Sequence, residues 1–568
     1  ILQQNAYPGS NPRLSNDGSI LIYLSDRNST NVSDTRLCYS IRNEEGKFDP
    51  GIVIPPSTSN TQVVFDGFGD SNPKIDGNKD FAVATWIRLR EEVNLAEGSE
   101  LSDYDQLAML NSSEIMLSIY KNSLWHTIRV TEDTTPDLAP VVTTNGDSVL
   151  LAWRNVYCNN DTNPLDFTTK DNIDFVRINK DNLEINETHN LYNGSNGIVK
   201  GMDVAMLKDG TCLVAYVLDL SNNNLSSEHE IFYSIISPNN EIIKTVRLTN
   251  DEYLNDNPKV STVTITEGRV EIEKFVIAYH TVKESEENIL NDIKVSFIDR
   301  EGNIDVSAME AISEKAGEDK VEISENFEFV KVNKQENNLE NLALMWTEAY
   351  LSIDEAGKQN TDKDVLKVVK FMEDINERIS ISAPMEVGVM EERTLVDSFD
   401  CYMDPSNNFK INGVLLGNNY SKINLEDPST YKEVITEQGL VYVSTFVSNL
   451  YMLNSNLENS INVENMYVDF TTVKANMPIL VLVTLENKGM DIITKITIEL
   501  NEKSYDFENL LLNPNQKIEL SVVYEIGEEI NNIPIIITGK TINNETIIED
   551  ETLYLDYPDV GISKTEII

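Results

Sequence analysis

The groups in this sequence that could do chemistry are four histidines, four cysteines and a large excess of carboxylates. His126, His189, His229 and His280 stand far apart, so no two have the short spacing of a metal-binding pair. Cys38, Cys158, Cys212 and Cys401 include no Cys-x-x-Cys pair and are too dispersed for a zinc site. Cys212 lies in the apolar run Cys212-Leu213-Val214-Ala215-Tyr216, where a buried thiol is expected. Arg27, Arg88 and Arg154 are the arginines whose positions could clamp a carboxylate, and the first two follow an aromatic strand at a comparable place. Their bland reading is edge or loop arginine. Asp66-Gly67-Phe68-Gly69-Asp70 followed by Asp76-Gly77-Asn78-Lys79-Asp80 is rich in the oxygen ligands that Ca²⁺ takes from loops, although turn chemistry accounts for the second run. No nucleophile elbow, zinc-protease helix, P-loop or dinucleotide fingerprint occurs, so no cofactor is identified beyond a possible Ca²⁺. With 94 acidic residues, a hydrolytic carboxylate pair or triad has too many candidates to be placed.

The elements that would position such groups repeat. Short apolar strands carrying an aromatic near their end recur at 20–27, 81–88, 149–156, 212–219, 275–282 and 342–349. Aligning Tyr23, Trp86, Trp153, Tyr216, Tyr279 and Trp346 gives spacings of 63, 67, 63, 63 and 67 residues. Turn residues precede several of these strands: Asn16-Asp17-Gly18, Asp76-Gly77-Asn78, Asn145-Gly146-Asp147 and Lys208-Asp209-Gly210. Such residues tolerate positive φ and close hairpins. Prolines 12, 73, 140 and 258 precede the turns, and a strand's first residue is their expected place. Third strands follow at 36–42, 114–121, 173–180, 230–237, 292–300 and 365–371, and fourth strands at 125–133 and 242–251.

Four antiparallel strands per unit, with loop insertions, make the blades of a β-propeller. A weaker seventh unit is expected, with residues 409–420 as its second strand and 439–447 as its third; six or eight blades stay open. Residues 1–4 read as the last strand of a blade, which would close the ring. The repeated aromatics read as core between blades. Propellers host glycosidases, but the Ser-x-Asp-x-Gly-x-Thr-Trp loops of sialidase-like enzymes are missing, since Ser15-Asn16-Asp17-Gly18-Ser19 is a hairpin turn.

From about residue 458 the pattern changes to alternating strands at 461–470, 478–489, 493–500, 516–525, 533–540 and 551–557, which read as an immunoglobulin-like β-sandwich. Here Asn487-Lys488-Gly489 ends an apolar strand and Leu512-Asn513-Pro514-Asn515 precedes another. These features resemble the CARDB family of cell-adhesion-related sandwich domains, with Asn515 where that family favours glycine. The resemblance covers about a sixth of the chain and implies a bacterial or archaeal cell-surface protein. The expected organisation is a propeller over 1–457, a sandwich over 458–557, and a linker or further sandwich over 558–568.

Composition narrows the function classes. The chain carries 45 basic against 94 acidic residues, a formal net charge of −49. Nucleic acid and anionic membranes are disfavoured as partners, and no stretch is apolar for long enough to insert in a bilayer. Ile1-Leu2-Gln3-Gln4 has no signal-peptide character, as a mature or excised piece would look. The leading expectation is an extracellular surface protein whose propeller recognises a protein or glycan, carried on adhesion-type sandwiches. The loops at 89–113, 157–172, 281–291 and 351–364 are the expected contact region. The alternatives are a sialidase- or arabinanase-like glycoside-acting enzyme, and a self-associating subunit of a surface layer or filament.

Overall fold

The computed structural model describes residues 2–554 except 27–33, 56–67, 92–107, 158–169, 181–183, 186, 195–196, 222–227, 268, 285–288, 313–320, 334–336, 354–358, 374–378, 383, 392, 405–406, 425–426, 437–438, 457–458, 469–477, 490, 514–515, 526–531 and 543–544. It forms two compact units, one of residues 1–379 and 386–455, the other of residues 380–385 and 456 onward.

The first unit is a seven-bladed β-propeller. Its blades begin with the inner strands Arg13–Leu14, Phe68–Gly77, Asp137–Thr144, Ile198–Met206, Leu254–Glu267, Val321–Phe329 and Thr394–Asp404. Blades one to five are four-stranded antiparallel sheets in sequence order, and blade six carries a fifth short strand, Met385–Val389. Each inner strand packs on the next, and that of blade seven packs on that of blade one, so the ring is closed.

Blade seven departs from the expected pattern. Of residues 439–447 only Phe446 and Val447 belong to its third strand: Tyr431–Thr436 and Gly439–Ser444 pair only with each other as a separate hairpin. Tyr442 and Val443 of that hairpin are exposed. The third strand is instead Phe446–Asn456, hydrogen-bonded to Asn407–Tyr420. Its outer edge meets the start of the chain: Leu2 N and Gln3 N donate to Leu450 O, Leu450 N donates to Gln3 O, and Ala6 N donates to Ser448 O.

The prolines also sit differently. Pro73, Pro140 and Pro258 lie inside their strands, at irregularities in the pairing of the inner with the second strand. The residues before them, Asn72, Ala139 and Asn257, have φ of 51°, 49° and 48°, and Asn11 before Pro12 has 42°. The missing proline N–H is tolerated because the bulge already interrupts the ladder. The hairpin turns are as the sequence implied, with positive φ at Gly18, Gly77, Gly146 and Gly210.

Apolar residues of adjacent blades make the core. Trp86 packs with Ile20, Ile22 and Leu37 of blade one, Trp153 with Val83, Ile115 and Leu117 of blade two, and Tyr279 with Leu213 and Ile235 of blade four. Trp86 and Trp346 are fully buried, so these aromatics are structural.

The second unit is a two-sheet β-sandwich. Ile461–Val468, Pro478–Asn487 and Lys517–Glu525 form one sheet; Lys503–Phe507, Ile493–Leu500, Asn532–Thr541 and Thr546–Tyr554 form the other. Alternating residues such as Val481, Val483, Leu485, Ile496, Ile498 and Ile535 fill the space between them. Asn487 is buried at the sheet's corner, donating to Asp491 O and Leu512 O and accepting from Gly489 N. Lys503–Phe507 has no counterpart in the sequence reading; a two-residue turn at Asn501 and Glu502, both at positive φ, creates it.

Candidate functional site

Side chains of the inner strands alternate between the ring's axis and the blade interfaces. At the axis they surround a cavity of about 140 Å³. At the ~10–15 Å³ that one water needs, this is room for roughly ten waters. Four bases, Arg13, Lys74, Lys259 and Lys331, and four acids, Asp76, Asp203, Glu328 and Asp400, line it.

Most of these charges are paired. Glu328 Oε1 accepts from Arg13 Nη1 at 3.1 Å and from Lys259 Nζ at 2.7 Å. Asp400 Oδ2 accepts from Lys331 Nζ at 2.6 Å and from Leu14 N at 2.8 Å. Asp203 Oδ2 accepts from Val260 N at 2.8 Å. Asp76 accepts from Asn16 Nδ2, Gly77 N, Thr143 Oγ1 and Thr144 N. Burial alone would raise the Glu328 carboxyl, but the charges of Lys259, Arg13 and Lys74 outweigh it and hold it down at about 2. Burial raises the Asp203 carboxyl, against the pull of Lys259 and Lys74. Lys74 forms no hydrogen bond or ion pair among the described residues; burial and the charges of Arg13 and Lys259 bring its amine down to about 7.

At the end of the axis where first and second strands join lies a smaller hollow of about 110 Å³. Asn16, Asn78, Asn145, Asn333, Thr144 and Phe81 line it. Asn16 also lines the axial cavity, so the two adjoin. Some of these amides hold turns: Asn78 Oδ1 accepts from Asp80 N and Phe81 N, and Asn145 Oδ1 from Asp147 N and Ser148 N. The Asn78 Nδ2 group and the whole Asn333 amide have no protein partner among the described residues.

Asp76 and Asn78 apart, the residues singled out from the sequence lie elsewhere. Arg88 donates from Nε and Nη2 to both oxygens of buried Asp70, which also takes Trp86 Nε1 and Leu37 N. Arg154 is bound to buried Asp171 at 2.8 Å. Neither arginine faces the axis, and Arg27 lies outside the described residues. The Asp70 and Asp76 carboxyls of the calcium-like runs are committed to protein donors, and among the described residues no three acidic, histidine or cysteine side chains converge as metal ligands. His189 stacks on Phe175, and His280 is buried in blade five. His229 Nδ1 lies 3.0 Å from Asp256 and Nε2 lies 3.6 Å from Asp219, while His126 occupies an outer strand. Cys38, Cys212 and Cys401 are buried and outside any disulfide; Cys158 is not described. Of the loops expected to make contact, 92–107, 158–169, 285–288 and 354–358 also lie outside the described residues.

The bridging of blades by carboxylates escaped sequence reasoning, which named Asp70 and Asp76 only as oxygen ligands. Asp70, Asp76, Asp171, Asp203, Asp364 and Asp400 each accept a backbone N–H from an adjoining blade. The one signal for them is an acid inside or beside an apolar strand, as at Asp76, Asp203 and Asp400.

No protein-family model and no curated protein matches the sequence. Among solved structures, Trypanosoma rangeli sialidase aligns at TM-score 0.35 and 10% identity, over 90% of this chain and 86% of its own. An alpha-L-arabinofuranosidase of Fusarium graminearum aligns at 0.33 and 12%, over 64% of this chain and 94% of its own. An alpha-L-arabinanase of Cellvibrio cellulosa aligns at 0.25 and 10%, over 53% and 95%. At such scores no residue of this chain can be equated with one of theirs.

Proposed function

We propose that the propeller is an extracellular recognition module for a hydroxyl-rich ligand, a glycan, which docks on the hairpin-turn end of the ring and is presented by the sandwich. The amide-lined hollow carries this reading. The Asn78 Nδ2 group and the Asn333 amide are without a protein partner among the described residues, and Thr144 and Phe81 lie beside them. A small set of placed polar groups next to an aromatic suits hydroxyl and C–H groups of a sugar. The adhesion-type role of the sandwich rests on the CARDB-like corner at Asn487 and Gly489, and the extracellular setting on that same resemblance.

A glycan array probed with the full chain, run beside a broad glycosidase panel, tests the proposal. Retention of a defined glycan class is expected, weakened about tenfold, the worth of roughly 1.4 kcal/mol of hydrogen bonding, in Asn78→Ala and Asn333→Ala. Turnover of any glycan would move the reading to a propeller glycosidase. Self-assembly with no glycan retained would favour a surface-layer subunit.

A further inference from the structure

One cation of the axial cavity has no hydrogen-bonded acceptor among the described residues, although the charges of Glu328 and Asp203 act on it. Its acids are spoken for: Glu328 by Arg13 and Lys259, Asp400 by Lys331 and two backbone N–H groups, Asp76 by four neutral donors. Asp203 receives the backbone N–H of Val260 and shares its field between Lys259 and Lys74. Lys74, on the inner strand of blade two, is left with no partner among the described residues, and its amine is not among the side-chain groups sealed from solvent. On blade one, Arg13 uses Nη1 for Glu328 and the Phe399 carbonyl, and its Nη2 is likewise neither hydrogen-bonded nor sealed. The Lys74 amine and the Arg13 Nη2 group, from adjacent inner strands, therefore line one cavity with no acceptor supplied to either among the described residues.

We propose that the centre of the ring is a binding site for a small anion, a carboxylate or an inorganic oxyanion, held by Lys74 and Arg13 and reached through the hairpin-turn end. The volume, room for roughly ten waters, admits such an ion together with water. An anion supplies what both donors lack, and charge-assisted hydrogen bonds in a confined cavity are the strong kind. The groups around Lys74 make the site sensitive to pH. Arg13 and Lys259 favour the neutral amine, Glu328 and Asp203 the charged one, and the balance leaves it titrating at about 7. An anion binds the protonated amine, so binding takes up a proton and weakens as pH rises. This site does not depend on glycan capture at the ring's end.

Isothermal titration of the full chain with acetate, phosphate and sulfate, at pH 6 and pH 8.5 in buffers of different ionisation enthalpy, tests the proposal. One-to-one binding of at least one anion is expected at pH 6, with proton uptake near neutrality. From the titration of Lys74 alone, affinity should fall about thirtyfold by pH 8.5. Lys74→Met should abolish binding while unfolding at a temperature no lower than the parent, which separates loss of the site from loss of the fold. Lys74→Arg should keep binding and lose the pH dependence. No saturable binding of any of the three anions at pH 6, or binding unaltered in Lys74→Met, would overturn it. Glycan-array retention unchanged in Lys74→Met would leave the recognition reading standing whatever the anion result.

Discussion

At the residue scale, burial and pairing set the behaviour of individual carboxylates. Glu328 is held at about 2, below its ordinary 4.5, by Lys259 and Arg13 against the cost of burial. A carboxyl whose folded value is depressed stabilises above its unfolded value and loses that stabilisation as pH falls toward the folded one. Glu328→Gln is therefore expected to cost on the order of 3 kcal/mol at pH 7, with the gap from the parent closing between about pH 4.5 and pH 2 in urea unfolding. Asp137 behaves oppositely. Burial pushes it up to about 7 against the hydrogen bond from Asn155 to its Oδ1, and its Oδ2 is buried without a partner. Its charged form is costly in the fold, so stability declines as pH rises from about 4 to 7. Asn255 stands three residues before Pro258 as Asp137 does before Pro140, so an amide suits this place in a blade. Asp137→Asn is expected to match the parent near pH 4 and to exceed it by on the order of 2 kcal/mol at pH 8, read from urea midpoints.

At the element scale, the prolines that open blades one, two, three and five each follow a left-handed residue. Asparagine fills that place at positions 11, 72 and 257, and alanine at 139, where φ is 49°. Asparagine tolerates this conformation better than alanine does. Ala139→Asn should raise stability by about 0.5–1 kcal/mol, measurable as a higher urea midpoint with an unchanged m-value. In the sequence the prolines of four units marked where a first strand starts. They did not show that the proline lay within the strand, because a bulge is defined by its partner's register, which no local pattern contains. Likewise the aromatic spacing located six second strands, whereas the hairpin at 431–444 displaced the seventh blade's third strand beyond the periodic position.

At the scale of the whole molecule, the ring closes through the pairing of residues 2–6 with Phe446–Asn456. Leu2 and Ala6 also pack against Leu416 and Leu450. Removing residues 1–6 would leave an unpaired strand edge, which invites association with another chain. The truncated chain is expected to unfold at a lower temperature in calorimetry and to show concentration-dependent association in light scattering.

What the sequence determined by itself was the all-β class, the blade repeat, the hairpin turns and the sandwich beyond it. Alternating apolar residues, turn-forming pairs and a spacing of 63 to 67 residues are local or periodic features, and a linear pattern displays them. The tertiary structure decided which charges meet. Arg13, Lys74, Asp203, Lys259, Glu328 and Asp400 come from six blades, and only ring closure brings blade one beside blade seven. Pairing within blades two and three set Arg88 and Arg154 on buried aspartates, and closure left Lys74 at the axis with no acid hydrogen-bonded to it among the described residues. Electrostatic pairing depends on distances of a few ångströms across hundreds of residues of chain, and composition averages such distances away.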